Sequence, residues 1–140
     1  FPTRRSSDLV EPHIVSLEPN GLADVWTDIQ NVAEALDAPD RGESLVAALQ
    51  TRMGDIEAQA AQSDDRPSVA CLEWIDPLMA AGNWMPELVE LAGGVPLVTA
   101  PGDHAPTLDE DALRQLAPDV VLIKPCGFDL ARTRAPLRNS

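Results

Sequence analysis

Apolar residues recur at helical steps through the first half of this chain and gather into short unbroken runs through the second. Leu22, Val25, Ile29, Val32 and Leu36 follow one another three or four residues apart, the stripe of an amphipathic helix. Trp26 lies off that stripe and belongs at its border. Before it, His13–Leu17 (HIVSL) has the length and composition of a short buried strand, closed by the turn-prone Glu18-Pro19-Asn20-Gly21. Asp37–Gly42, with Pro39 and Gly42, breaks the first helix. A second helix is expected from about Ser44 to Gln62, with Leu45, Leu49, Met53, Ile56 and Ala60 on one face. At that length it would span about 30 Å, the width of a small domain. Ser63–Pro67 is polar and ends it.

Beyond Pro67 the period changes. Ser68–Leu72 is expected as a strand, Pro86–Ala92 as a helix stopped by Gly93-Gly94, and Pro96–Thr99 as a second strand. Thr107 with Glu110 three residues on has the form of a capping box, opening a helix whose inner face is Leu108, Ala112, Leu113 and Leu116. Asp119–Ile123 (DVVLI) reads as a fully buried strand, and Asp129–Leu137 as the start of another helix. Short apolar strands alternating with helices predict an α/β fold with a parallel, doubly wound sheet.

In a parallel sheet every strand's carboxyl end lies on one rim, and the loops after the strands converge there. The expected loops Glu73–Trp84, Ala100–Pro106 and Pro125–Asp129 offer Trp74, Asp76, Asn83, Trp84, Asp103, His104, Cys126, Phe128 and Asp129. Such a mixture of aromatic and polar groups suits a flat organic ligand with polar edges. Each residue also has a structural role open to it. Trp74 directly follows a strand, where it can cap the core. Trp84 can cover the start of the next helix, and His104 can be a solvated loop residue. Cys126 can be a small buried hydrophobe.

Composition narrows the classes. The net charge of −13, with a single lysine and no basic stripe, argues against a nucleic-acid partner. No apolar run is long enough to span a bilayer, so no direct membrane insertion is expected. Cys71 and Cys126 match no zinc spacing. Glycine-rich phosphate cradles, the GxSxG elbow and HExxH are all missing, which leaves no catalytic residues and no metal site to name.

The segment Val69–Gly94, followed by Pro101-Gly102-Asp103-His104 and Lys124-Pro125-Cys126-Gly127-Phe128-Asp129-Leu130, resembles the cobalamin-binding members of the ABC-transporter substrate-binding proteins, within the iron-siderophore/cobalamin periplasmic-binding superfamily. The resemblance covers essentially Val10–Leu137. It implies α/β parallel-sheet lobes joined by a long linking helix, with residues 10–41 ending the N-terminal lobe, 42–66 linking, and 67–140 forming a truncated C-terminal lobe. The chain would then be incomplete at both ends. It further implies that cobalamin or a related corrinoid lies between the lobes as a transported ligand, with no cofactor and no covalent chemistry. The partner would be an ABC permease/ATPase complex, and the protein a monomer in the periplasm or otherwise outside the cytoplasm. The implied ligand-binding set is Trp74, Asp76, Asn83, Trp84, His104, Phe128 and Asp129; His104 takes a position where the family carries an aromatic. Glu110 aligns with the acid that docks onto the permease.

Alternatives within the same fold are a ferric siderophore or haem as ligand, although the rim carries no arginine before Arg132, and an intracellular corrinoid-handling protein. The first nine residues, Phe1–Leu9, resemble the translation of a common short-read sequencing adapter, so native sequence is expected from Val10.

Overall fold

The structure, a computed structural model, describes residues 13–137; the adapter-like segment lies outside them. Two helices come first, α1 (Leu22–Ala35) and α2 (Pro39–Ala60). They are followed by β1 (Ser68–Ile75), β2 (Leu78–Ala80), α3 (Met85–Leu91), β3 (Val95–Pro96), α4 (Glu110–Leu116), β4 (Val120–Ile123) and α5 (Leu130–Leu137).

α1 begins where predicted. The Asp24 carboxylate accepts hydrogen bonds from the Gly21 and Asn20 N–H groups at 2.9 and 3.0 Å. These bonds hold its carboxyl below the usual range, Gly21 contributing most. The break between helices is shorter than expected: only Leu36–Ala38 intervenes, with Asp37 left-handed at φ 52°. Pro39 starts α2 rather than ending α1, because its missing N–H is one the first turn leaves unpaired anyway. Gly42 is likewise helical. Its bare Cα lets α2 close on α1, and a Cβ there would stand 2.6 Å from the Ala33 Cβ. The expected strand at His13–Leu17 does not form. No neighbouring strand among the described residues offers it a hydrogen-bond ladder, and Ile14 and Leu17 are exposed.

β1 is the spine of the sheet. It runs parallel to β4 on one side, pairing Val69 with Val120 and Cys71 with Leu122. It is also parallel to β3, pairing Ser68 with Val95, and antiparallel to β2 beyond that point. The α/β class with parallel crossovers is therefore as predicted. The core gathers around β1: Ala70 and Leu72 are buried, and Cys71, Ala81 and Val89 pack together with Val69 and Met85 against them. Burial pushes the Cys71 thiol pKa up. α3 ends as expected: Gly93 is left-handed at φ 84°, and the Gly94 N–H returns to the Val89 carbonyl at 2.9 Å.

Four expectations are corrected. Glu73–Trp84 is not one loop. β1 continues through Trp74 to Ile75 because β2 folds back beside it and supplies hydrogen bonds. β3 is cut to Val95–Pro96, its ladder to β1 ending where the Leu97 N–H donates to the Val69 carbonyl at 3.1 Å. The capping box at Thr107 is not formed. Thr107 bridges to Met79, and Asp109 caps α4 instead, its Oδ1 accepting from the Ala112 N–H at 2.6 Å. β4 is not fully buried: Val120, Val121 and Leu122 are each more than two-fifths exposed, because among the described residues no layer covers this strand.

Candidate ligand-binding rim

The carboxyl ends of the neighbouring parallel strands β1 and β4 bring Trp74 and Phe128 together. Their ring centroids lie 5.3 Å apart at an interplanar angle of 67°, an edge-to-face pair. Both are half-buried. Trp74 is fixed three ways: by its register opposite Met79, by Phe128, and by its indole N–H, which donates to the Asp76 carbonyl at 2.8 Å. That last bond commits the indole donor internally, so Trp74 can offer a ligand ring surface but no hydrogen bond. Asp76 itself is exposed in the β1–β2 turn.

Phe128 carries a second contact that sequence reasoning missed. The Arg132 guanidinium carbon lies 3.8 Å from the Phe128 ring centroid, a cation–π stack. The signal available was the four-residue step from Phe128 to Arg132 across the start of a helix, which places two side chains on one face. Asp129, between them, is engaged locally: its Oδ1 accepts from the Arg132 backbone N–H at 2.8 Å and caps α5. Cys126 is exposed at the same strand end, not buried.

Asn83 and His104 belong to a second cluster. Asn83, left-handed at φ 54°, donates its N–H to the Asp103 carbonyl at 2.6 Å and accepts from the Gly102 N–H at 3.0 Å. The Asp103 carboxylate in turn accepts from the Ala100 N–H at 2.9 Å, so the loop is tied at both ends. Gly82 permits this seat: a Cβ there would collide with backbone of Asp103, His104 and Ala105. The Asn83 Oδ1 atom is buried with no hydrogen-bond partner among the described residues, a spare acceptor beside the loop that carries the exposed His104.

Trp84 points elsewhere. It lines a groove of about 590 Å³ together with Pro19, Val25, Ile29, Val32 and Leu45, on the α1–α2 side of the molecule. Trp84 and Trp74 thus occupy different surroundings. Glu110 is exposed on α4, paired with Arg114 at 2.9 Å, and Arg114 also reaches Asp111 at 3.1 Å. Among the described residues, no cluster of three or more His, Cys, Asp or Glu side chains is arranged to hold a metal ion. None of the described helices is long and apolar enough to cross a membrane.

The arrangement is one of recognition surfaces. Aromatic rings, a guanidinium and an amide acceptor lie at strand ends and loops, and among the described residues no nucleophile is hydrogen-bonded to a base. Comparison with known proteins agrees. The chain matches a structure from Saccharomonospora viridis described as an ABC-type Fe3+-hydroxamate transport system, with TM-score 0.72 and 21% identity over 88% of this chain and 43% of that one. It matches a periplasmic haem-binding protein from Roseiflexus with TM-score 0.61 and 27% identity, covering 75% and 42%. The periplasmic vitamin B12-binding protein of Vibrio cholerae matches with TM-score 0.60 and 18% identity, covering 76% and 42%. The chain thus spans less than half the length of these structures. Among curated proteins, no sequence matches. The family model for periplasmic binding proteins matches residues 7–136, nearly the whole chain, and the chain belongs to that family.

Proposed function

We propose that this chain is part of the substrate-binding component of an ABC importer, taking up cobalamin or a related corrinoid in a cleft between two lobes and handing it to a permease. The observation that carries the reading is the Trp74–Phe128 pair at adjoining strand ends, an aromatic corner against which a flat macrocycle can pack through the Trp74 indole. Asn83 and the exposed His104, in their own cluster, are the proposed contacts to the ligand's polar edges. In this reading residues 10–41 end one lobe, 42–66 link, and residues from 67 onward build the other. Family membership supports a location outside the cytoplasm, with the ligand as transported cargo and not as a cofactor. Glu110, exposed on α4, is the proposed contact to the permease. Its pairing with Arg114 is a surface pair of small energy that a permease arginine can replace.

A second reading keeps the fold and changes the cargo to haem or a ferric siderophore. It is favoured by the Arg132 guanidinium on Phe128, since such ligands are anionic. Titration of the complete open reading frame's product with cyanocobalamin, haemin and a ferric hydroxamate, followed by tryptophan fluorescence and calorimetry, decides between them. Saturable quenching by cyanocobalamin is expected. A calorimetric signal from haemin or the hydroxamate alone would sink the corrinoid reading.

A further inference from the structure

Arg132 is poorly explained by packing. Its guanidinium carbon sits over the Phe128 ring, 3.8 Å from the centroid. Stacking uses the face of the guanidinium and leaves its N–H donors, which lie in its plane, directed outward. Among the described residues the only ion pairs are those of Arg114, and the Arg132 side chain makes no hydrogen bond. Other cations among the described residues are unpaired as well; what sets Arg132 apart is its seat on an aromatic ring at the strand-end rim. The nearest carboxylate in sequence, Asp129, serves the backbone N–H of Arg132 and not its side chain. The result is a cation pre-positioned on an aromatic ring, at a strand-end rim, without an anion.

We infer that Arg132, seated on Phe128, receives an oxyanion arm of the ligand while the ligand's flat part lies against the Trp74 indole. The inference rests on the proposed function and adds that the cargo is acidic at this point: a phosphodiester or a carboxylate. In a corrinoid that arm is the phosphodiester of the nucleotide loop; in haem it is a propionate. The stacked guanidinium is held in place before the ligand arrives, so little side-chain freedom is lost on binding.

The test uses the product of the complete reading frame and the variants R132Q and R132K, with calorimetry against four probes: cyanocobalamin, dicyanocobinamide (which lacks the phosphodiester arm), haemin and haemin dimethyl ester. R132Q is expected to weaken cyanocobalamin by about ten- to a hundredfold, the range for a hydrogen bond to a charged group, and to leave dicyanocobinamide within about twofold. R132K keeps the charge, loses the stack, and recovers part of the loss. Equal loss for both corrinoids would make Arg132 a packing residue and overturn the inference, as would no loss for either. If the unaltered protein binds haemin and neither corrinoid, the corrinoid reading fails. The inference then stands only if R132Q weakens haemin and spares its dimethyl ester. Binding of none of the four removes both.

Discussion

Glu87 and Leu22, sixty-five residues apart, are joined by a single charge-assisted bond: the Glu87 Oε2 accepts from the Leu22 backbone N–H at 2.7 Å. A carboxylate on α3 thereby serves the positive end of α1. The bond passes Gly21, whose Cα leaves room; a Cβ there would come within 3.3 Å of that same oxygen. Truncation of Glu87 to Ala is expected to lower the unfolding free energy by about 1 kcal/mol, the usual cost of a lost cap. Glu87→Gln keeps an acceptor and should lose less. Urea unfolding of the two variants beside the unaltered protein checks the order; equal stability of all three would show that solvent replaces the bond freely.

Gly42 sets the distance between α1 and α2. Alanine there gains about 1 kcal/mol of helix propensity and meets the Ala33 methyl at 2.6 Å. Ala33 has no rotamer by which to retreat, so the overpacking cost of about 1–3 kcal/mol is expected to prevail. Gly42→Ala should therefore lower the melting temperature. Gly54→Ala serves as the control, because it is in the same helix with nothing near its Cβ position, and should leave stability unchanged or raised.

The two cysteines should differ sharply in reactivity. Cys71 is buried and its thiol pKa is raised by that burial, so thiolate is scarce. Cys126 is exposed. Under native conditions iodoacetamide is expected to label Cys126 at least about tenfold faster, as read by peptide mass spectrometry. Denaturation should bring the two rates together.

Ser68 and Asp119 clasp the starts of β1 and β4. The Ser68 hydroxyl and N–H both donate to the Asp119 Oδ2, at 2.6 and 2.8 Å, while the Asp119 N–H donates to the Ser68 Oγ at 3.0 Å. The hydroxyl bond, with the N–H bond next, lowers the Asp119 pKa below the ordinary value of 3.8. A carboxylate whose pKa is depressed by folding contributes stability that is complete above its unfolded pKa and fades as pH falls through its folded one. The stability lost by Asp119→Asn should therefore be visible at neutral pH and should vanish in acid, below the usual carboxylate range. Urea midpoints of both proteins across that range measure it. A pH-independent difference would mean that the carboxylate's charge is irrelevant.

Much of the architecture was legible from periodicity, because α1, α2 and α3 each carry an apolar stripe or a glycine stop that local geometry enforces. The errors fell where a neighbour decides. His13–Leu17 has strand composition, and no partner to pair with among the described residues. Trp74 was expected on a loop and lies on a strand, since only β2 folding back could extend β1. Thr107 has the composition of a cap, yet its bridge to Met79 moved that duty to Asp109. The aromatic rim was found in part: Trp74 and Phe128 were both named, and their meeting required the parallel pairing of β1 with β4. Arg132 was overlooked because its role depends on which ring it covers.

The exposure of β4 has a consequence for handling this polypeptide in solution. Three successive aliphatic residues, Val120, Val121 and Leu122, are uncovered on a strand whose ladder is occupied by β1 on one side, with no second strand beside it among the described residues. A row of open donors and acceptors flanked by such side chains is a template for another chain's strand. Prepared by itself, the chain should self-associate as its concentration rises. A lysine at Val121 should raise the concentration at which light scattering begins.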